Sequence, residues 1–420
     1  MKIFATYCLF FLSLSLFGQT LSPTLVKNNP TINYAHLDQI ERLVKPYLEQ
    51  KKLVGSVVLV VKDNQLVHYK GYGQADAEQH KPMEANTIFR IMSQTKAITS
   101  LAIMQLFEQG KLDLDQKVSD FIPEFKNPTV VKEFNAKDST FTTIPATREV
   151  RIRDLLTHTS GIDYSDIGSE QMKAIYAKNN IPSGLGEFKA SLLDRMKALG
   201  KLPLAHQPGE KFTYGLNSDL LGCLVEVISG ETLEQYFHKH IFEPLGMKDT
   251  YFNLPAEKAN RLAGVYTENE QKQMIPWGPT YRNINPNYPL AKKTYFSGGA
   301  GLSSTAFDYA IFLQMLLNKG KYNGQQIIGR RTAELMVSPQ LNPGLMGNDN
   351  FGLGFQIQSE KSANLKMRSK GSFSWGGYYG TTYWADPKEN MVVLIMTQHT
   401  PNSNGFLSGR IENIIYGSIK

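Results

Sequence analysis

The chain has 420 residues, of which 41% are hydrophobic, 20% charged and 11% aromatic. This composition excludes a disordered chain and a coiled coil, and the length suffices for about two or three lobes with large buried cores. The net charge is +7, and the sequence contains no extended run of basic residues. We therefore expect no nucleic-acid partner and interpret the excess charge as a contribution to solubility.

The first residues indicate export. Lys2 precedes an apolar stretch over residues 3–17 that ends in a small residue. This pattern is typical of a secretory signal peptide, here over residues 1–18, and the stretch is shorter than the roughly 20 apolar residues of a membrane span. We expect a secreted or periplasmic protein without stable membrane insertion after signal removal. Cys223 is the one cysteine outside this segment, so no internal disulfide is expected.

Two hairpins are predicted at opposite ends of the chain. The first joins residues 56–61 to 66–72, and the second joins residues 381–385 to 391–396. The first strand of the N-terminal hairpin is apolar on both sides, so it needs cover on both faces. We therefore predict one sheet, built from both ends of the chain, with helices on each side.

Helices are predicted from apolar residues at helical spacing. The first is amphipathic over residues 37–48, and later ones are predicted over residues 94–109, 219–229 and 305–318. The helix at 94–109 is apolar almost all round, which indicates that it is buried.

Several kinds of site are excluded by missing motifs. The sequence contains neither a Gly-x-Ser-x-Gly nucleophile turn nor a Gly-x-x-x-x-Gly-Lys phosphate loop. The eight histidines are scattered, and His238 and His240 point in different directions on a helix. We therefore expect no metal or other cofactor.

The candidate nucleophile is Ser93, in the motif Ser93-Gln94-Thr95-Lys96. A serine at a helix N-terminus lies where free backbone N–H groups favour developing negative charge. Lys96 returns to the same face three residues later, and the apolar helix carries it into a poorly solvated interior that favours a neutral amine. The pattern alone also fits an N-capping serine followed by an exposed lysine.

Other segments accompany this motif in a fixed order. They cover residues 89–96, 152–161, 208–214, 241–247, 298–304 and 375–377. Together they resemble the serine β-lactamase and penicillin-binding-protein superfamily, on the branch of class C β-lactamases, D-Ala-D-Ala carboxypeptidases and family VIII esterases. The likeness spans about residues 53–396.

The resemblance implies an α/β sandwich: an antiparallel sheet flanked by helices, plus a mostly helical lobe. We assign residues 33–95 and 291–420 to a discontinuous sheet domain and residues 96–290 to the lobe, with the site between them.

The family's second motif is Tyr-x-Asn, whose tyrosine exchanges protons with the lysine. Tyr251 and Tyr281 fit the spacing literally, whereas Tyr214 is separated from Asn217 by one residue too many. We choose Tyr214 because it follows a Pro-Gly turn and opens a helix, as the family tyrosine does. The longer spacing leaves open whether Asn217 takes the place of the family asparagine.

The family's third motif, Lys-Thr-Gly in the lactamases, corresponds to Trp375-Gly376-Gly377, which resembles the esterases more. By position, we expect an edge strand here, with the Tyr378 N–H and the Ser93 N–H forming an oxyanion hole. A strand entry with two turn glycines is the structural alternative.

The remaining predictions concern the surroundings of the site. We interpret His158 as structural and Lys370 as solvated, and we expect the loops at 127–148 and 162–206 to wall the site.

The most consistent function is a secreted carboxylesterase that acts on a small ester or amide by acyl transfer. A β-lactamase or D-Ala-D-Ala carboxypeptidase is the second hypothesis. A catalytically silent module that binds cell-wall peptides is the third. The sequence does not specify the oligomeric state.

Overall fold

The computed structural model describes residues 20–184, 190–278, 284–403 and 406–420. The signal peptide predicted over residues 1–18 and the alternative tyrosine, Tyr281, lie outside this part of the chain. Within the described residues, no helix combines the length and apolarity that crossing a membrane requires.

The helices and strands follow one another in mixed order. The helices are α1 Tyr34–Leu37, α2 Gln39–Glu49, α3 Thr95–Glu108, α4 Ile152–Leu156, α5 Glu170–Lys178, α6 Leu192–Gly200, α7 Asn217–Ser229, α8 Leu233–Phe237, α9 Glu243–Leu245, α10 Ala306–Leu317, α11 Arg330–Met336, α12 Glu360–Ala363 and α13 Phe406–Gly417. The strands are β1 Gly55–Lys62, β2 Gln65–Asp76, β3 Lys81–Pro82, β4 Phe89–Arg90, β5 Thr129–Asn135, β6 Thr140–Pro145, β7 Tyr266–Glu268, β8 Met274–Pro276, β9 Ser303–Ser304, β10 Lys321–Tyr322, β11 Gln325–Gln326, β12 Asn350–Phe351, β13 Gln356–Ile357, β14 Phe373–Gly376, β15 Thr382–Asp386 and β16 Met391–Met396.

One eight-stranded antiparallel sheet joins the two ends of the chain. Its strand order is β12-β13-β14-β15-β16-β1-β2-β3. Strand β16 pairs with β1, and Leu394 lies opposite Leu59. The two predicted hairpins are therefore neighbours in one sheet, and the prediction of an antiparallel sheet flanked by helices is confirmed.

Strand β1 is buried on both faces, as its sequence predicts. Val57 and Leu59 belong to the larger core, whereas Val58 and Val60 belong to the smaller one. Side chains alternate between the two faces of a strand, so an apolar run suits a strand that is covered on both sides.

The two cores lie on opposite faces of the sheet. Helices α3, α7 and α10 contribute to the larger core, and α2 and α13 contribute to the smaller one. Helix α3 is buried along almost its whole length. Helix α7 begins two residues before its predicted start and ends at Gly230, whose φ of +74° is typical of a C-terminal glycine.

Removing core volume from the central strand should destabilise the whole fold. Leu394→Ala empties part of a side chain that is 0% exposed, so we expect the free energy of unfolding to fall by about 2–5 kcal/mol. Urea denaturation measures this change. Leu365→Ala is the matched control, because Leu365 is 73% exposed and its loss should cost less than about 0.5 kcal/mol. Equal effects of the two substitutions would contradict the assignment of β16 to the core.

Candidate active site

A cavity of about 480 Å³ opens beside the N-terminus of α3. It brings together residues from the turn that leads into α3, from the 162–206 segment and from strand β14. Its lining residues are Met92, Ser93, Tyr164, Asp166, Ile167, Ser183, Tyr214, Ala300, Gln356, Arg368, Ser374, Trp375, Gly376, Gly377, Tyr378 and Thr382.

Ser93 lies in a short 3₁₀ turn, Met92–Gln94, that runs directly into α3. Met92 is buried and has a φ of +50°, a conformation that non-glycine residues seldom adopt. The surrounding core holds this turn, because the Tyr288 hydroxyl donates to the Met92 Sδ at 3.2 Å. The strained turn presents Ser93 to the cavity at the start of the helix.

Lys96 is buried, with 2% of its surface exposed. Its Nζ donates to the Ser93 Oγ at 3.2 Å, to the Tyr164 hydroxyl at 2.8 Å and to the Gly299 carbonyl at 2.7 Å. The structure therefore brings Ser93 and Lys96 together, as the motif predicts.

These contacts define how a neutral Lys96 would bond. The Gly299 carbonyl can only accept a hydrogen bond, so it must face an N–H of Lys96. A neutral amine has one lone pair, which must then face the hydroxyl of Ser93 or of Tyr164. The geometry allows Ser93 to pass its proton directly to Lys96.

Tyr214 lies against Lys96, with the Nζ 4.6 Å from the centre of the Tyr214 ring. Its hydroxyl accepts a hydrogen bond from the Trp375 Nε1 at 3.2 Å. Tyr251, by contrast, lines a different cavity, and its hydroxyl donates to the Lys248 carbonyl. Of the two tyrosine candidates that the structure describes, Tyr214 is the one at this site.

Tyr164 is a residue that the sequence analysis missed. It supplies the hydroxyl that Lys96 contacts directly. Burial raises the pKa of Tyr164 well above its usual value, and Tyr214 and Asp219 act in the same direction. Tyr164 follows the 152–161 segment closely, but no fixed spacing to Ser93 marked it in the sequence.

The structure places Asn217 away from the cavity, so it is not positioned to bind substrate as the family asparagine would. Asn217 is fully buried and is not among the residues that line the cavity. Its Oδ1 accepts from the Ser160 hydroxyl at 2.5 Å, and its Nδ2 lies 3.0 Å from the His158 Nδ1. These contacts fix the loop that precedes Tyr164, because a buried amide must find its partners inside the protein.

The segment Trp375-Gly376-Gly377 and Tyr378 line the cavity. The expectation of an edge strand needs correction, because β14 lies between β13 and β15 in the sheet. Strand β13 pairs only with Phe373 and Ser374, which leaves the other end of β14 unpaired on that side. The oxyanion hole of Ser93 and Tyr378 N–H groups stays a prediction.

The two predicted walls differ. The 162–206 segment contains helices α5 and α6 and contributes cavity residues such as Ile167 and Ser183. The 127–148 segment forms the hairpin of β5 and β6 and contributes none of the described lining residues. The expectation for that loop is wrong, because its two strands bond to each other and extend it as a separate hairpin.

His158 packs its ring 4.9 Å from the Tyr214 ring, in agreement with a structural role. Burial lowers the pKa of His158 well below its usual value, and Lys96 adds to this, so the imidazole is neutral. Lys370 is exposed and forms a 2.9 Å ion pair with Glu360. Among the described residues, no group of three or more His, Cys, Asp or Glu side chains could hold a metal ion.

Arg368 is a second residue that the sequence analysis missed, and it brings a cation to the cavity wall. Its side chain is 19% exposed, and its Nη2 contacts the Glu412 Oε2 at 2.7 Å. The guanidinium also lies 4.4 Å from the centre of the Trp384 ring. Ion pairing and stacking together fix its position.

Comparison with known proteins identifies the family. The family description "Beta-lactamase" matches residues 40–413, so the chain belongs to the Beta-lactamase family. It is 27% identical to esterase EstB of Burkholderia gladioli, over 90% of this chain and 93% of EstB. It is also 27% identical to a putative D-alanyl-D-alanine carboxypeptidase of Escherichia coli K12, over 94% of this chain and 92% of that one.

A solved structure shows the same fold. EstCE1, described as a hydrolase with promiscuous acyltransferase activity, superposes with a TM-score of 0.80 and 27% sequence identity. The match covers 91% of this chain and 99% of EstCE1. The fold is therefore shared over almost the whole length of both chains.

The direct contact of Tyr164 with Lys96 should matter for activity. Tyr164→Phe removes one of the three partners of the buried amine, and a hydrogen bond to a charged group is worth about 1.5–3 kcal/mol. We therefore expect ester turnover to fall about ten- to a hundredfold. Steady-state kinetics on a p-nitrophenyl ester measures this.

Two further variants complete this test. Tyr214→Phe should cost about a hundredfold or more if Tyr214 acts in proton transfer. Tyr251→Phe is the control and should change nothing, since Tyr251 lines another cavity. Full activity of Tyr164→Phe would show that the hydroxyl only fills space.

Proposed function

We propose that the chain is an exported serine hydrolase that cleaves small esters through an acyl-enzyme. The observation that carries this proposal is the 3.2 Å hydrogen bond from the buried Lys96 Nζ to the Ser93 Oγ at the cavity wall. A hydroxyl bonded to a poorly solvated amine is the arrangement of an activated nucleophile.

The proposed reaction has two halves. The Ser93 Oγ attacks the ester carbonyl while Lys96 takes its proton, and the N–H groups of Ser93 and Tyr378 hold the oxyanion. Tyr214, whose ring packs on Lys96, gives its phenol proton to the leaving alcohol and takes a proton from the Lys96 ammonium in its place. A water molecule then attacks the acyl group on Ser93 by the same steps in reverse and releases the acid.

Neutral esters suit the wall of the cavity. Trp375 and Gly376 stand where the resemblance puts the Lys and Thr of the lactamases, and they offer an indole ring and no side chain. With Met92 and Ile167 they form an apolar surface for an acyl or alkyl group. The likeness to EstB and EstCE1 supports the same choice.

Export rests on the signal-peptide pattern of residues 1–18. A protein delivered outside the cytoplasm would act on a small-molecule ester there, and the chain offers no basic run for a nucleic acid.

Arg368 favours a second candidate, the hydrolysis of β-lactams or of peptides that end in D-alanine. Such substrates carry a carboxylate, and a guanidinium at the cavity wall is a bidentate partner for one. The family and the carboxypeptidase relative are compatible with this alternative.

Substitution of the nucleophile tests the enzyme class. Ser93→Ala should abolish covalent labelling by a fluorophosphonate and lower ester turnover by far more than about tenfold, which corresponds to roughly 1.4 kcal/mol of barrier. The readouts are labelling detected by intact-protein mass spectrometry and p-nitrophenyl ester kinetics. Ser183→Ala is the matched control, since Ser183 also lines the cavity and should leave both readouts unchanged. Labelling of the Ser93→Ala protein would refute the proposed nucleophile, and an unlabelled wild type would favour the binding module.

A comparison of substrates decides between the two candidate functions. We expect kcat/KM for short neutral esters to exceed that for a chromogenic cephalosporin by at least about tenfold, because Trp375 and Gly376 offer no charged hydrogen bond.

Arg368→Gln then isolates the guanidinium. We expect ester hydrolysis to stay within about threefold, whereas any cephalosporin hydrolysis should fall about ten- to a hundredfold. Arg368→Lys, which keeps the charge, is the control for stability of the ion pair with Glu412. A cephalosporin that matches the best ester, and that depends on Arg368, would make the β-lactamase candidate the better one.

A further inference from the structure

Asp219 is a buried carboxylate that the reaction described above does not use. It is the third residue of α7 and is 1% exposed. Its Oδ1 accepts a hydrogen bond from the Tyr295 hydroxyl at 3.2 Å, and Tyr295 is itself buried. The Ser297 side chain and the Gly299 backbone N–H also act on this carboxylate and lower its pKa against the effect of burial. A buried carboxylate is costly unless hydrogen bonds and a nearby charge compensate it.

The compensating charge is that of Lys96. A β-carbon built on Gly299 would lie 2.5 Å from the Asp219 Oδ2 and 3.4 Å from the Lys96 Nζ. Both groups therefore touch the space above Gly299, which places them within the roughly 4–6 Å over which opposite charges stabilise one another. The absence of a side chain at Gly299 keeps that space clear.

Among the titratable groups near Asp219, Lys96 is a cation that acts on the carboxylate itself, whereas Arg195 acts on its partner Tyr295. Tyr295 and Tyr164 face the carboxylate, and Cys223 acts on Tyr295. Burial raises the pKa of Asp219, and the charge of Lys96 acts against that rise. The carboxylate and the amine are thus an electrostatic pair within the interior.

We propose that Asp219 is a positioning residue that stabilises the ammonium form of Lys96 when Lys96 takes the proton of Ser93. The inference rests on the proposed function, in which Lys96 is the base. One proton moves from the Ser93 Oγ to the Lys96 Nζ, and Asp219 stays ionised throughout. The base Lys96 then lies between the nucleophile Ser93 and the buried carboxylate of Asp219. Other serine hydrolases use the same order, in which a carboxylate supports the base.

The pH dependence of the serine's reactivity tests this role. Asp219→Asn removes the negative charge that favours the ammonium form of the base. We expect the acid limb of the labelling rate by a fluorophosphonate to move down by about 1–3 pH units, and the plateau rate to fall at least about tenfold. If Asp219 had only a structural role, the substitution would lower the labelling rate without shifting the pH at which that rate falls off.

Two variants support the interpretation. Asp308→Asn is the matched control, because Asp308 is also a buried carboxylate but bonds to Thr250 and to the Asp249 N–H, away from the cavity. Its pH profile should equal that of the wild type. If Asp219→Asn fails to fold, Tyr295→Phe removes the hydroxyl donor of the carboxylate, and we expect a smaller shift in the same direction.

The outcomes separate this inference from the function on which it rests. A wild type that is not labelled at any pH overturns the proposed function. A labelled wild type with an unchanged acid limb in Asp219→Asn and Tyr295→Phe overturns only the role of Asp219.

Discussion

The burial of one amino group is the constraint on which the site depends. An ammonium removed from water is stable only where fixed dipoles and charges replace its hydration. The Lys96 amine contacts the hydroxyl of Ser93 in the preceding turn, the hydroxyl of Tyr164 in the 162–206 segment and the carbonyl of Gly299 before β9. Three separate parts of the chain must therefore meet at this point, and the cavity lies where they do.

The parts of the fold that sequence could predict are those with a local pattern. Strand β1 is apolar on both sides and β16 is an apolar run after a turn. These local patterns predict that both strands are buried, although they do not show that the two strands pair with each other. Helix α3 was recognisable because a helix without a polar face must be covered. The family motif then placed Ser93 at the entrance to α3 and Lys96 in its first turn, and the structure brings their side chains into contact.

The parts that sequence could not predict are contacts between distant segments. Tyr164 reaches Lys96 across 68 positions, from a segment that had no regular pattern. The one-residue departure from Tyr-x-Asn left the role of Asn217 open, and only the structure shows that α7 begins at Asn217 with the amide directed toward the loop of His158. A spacing rule describes one helix or strand, and it carries no information about what packs against it.

The ion pair of Arg368 also bears on the choice of substrate. Its Nη2 already contacts Glu412, and its ring-stacked position on Trp384 leaves it little freedom to move. A substrate carboxylate would have to share the guanidinium with Glu412, at the cost of bringing two negative charges close together. A neutral ester meets no such competition, and its apolar groups can replace water along the indole of Trp375. The charge of Arg368 would attract an anionic substrate, but its ion pair with Glu412 already occupies the guanidinium. The site therefore favours a neutral ester.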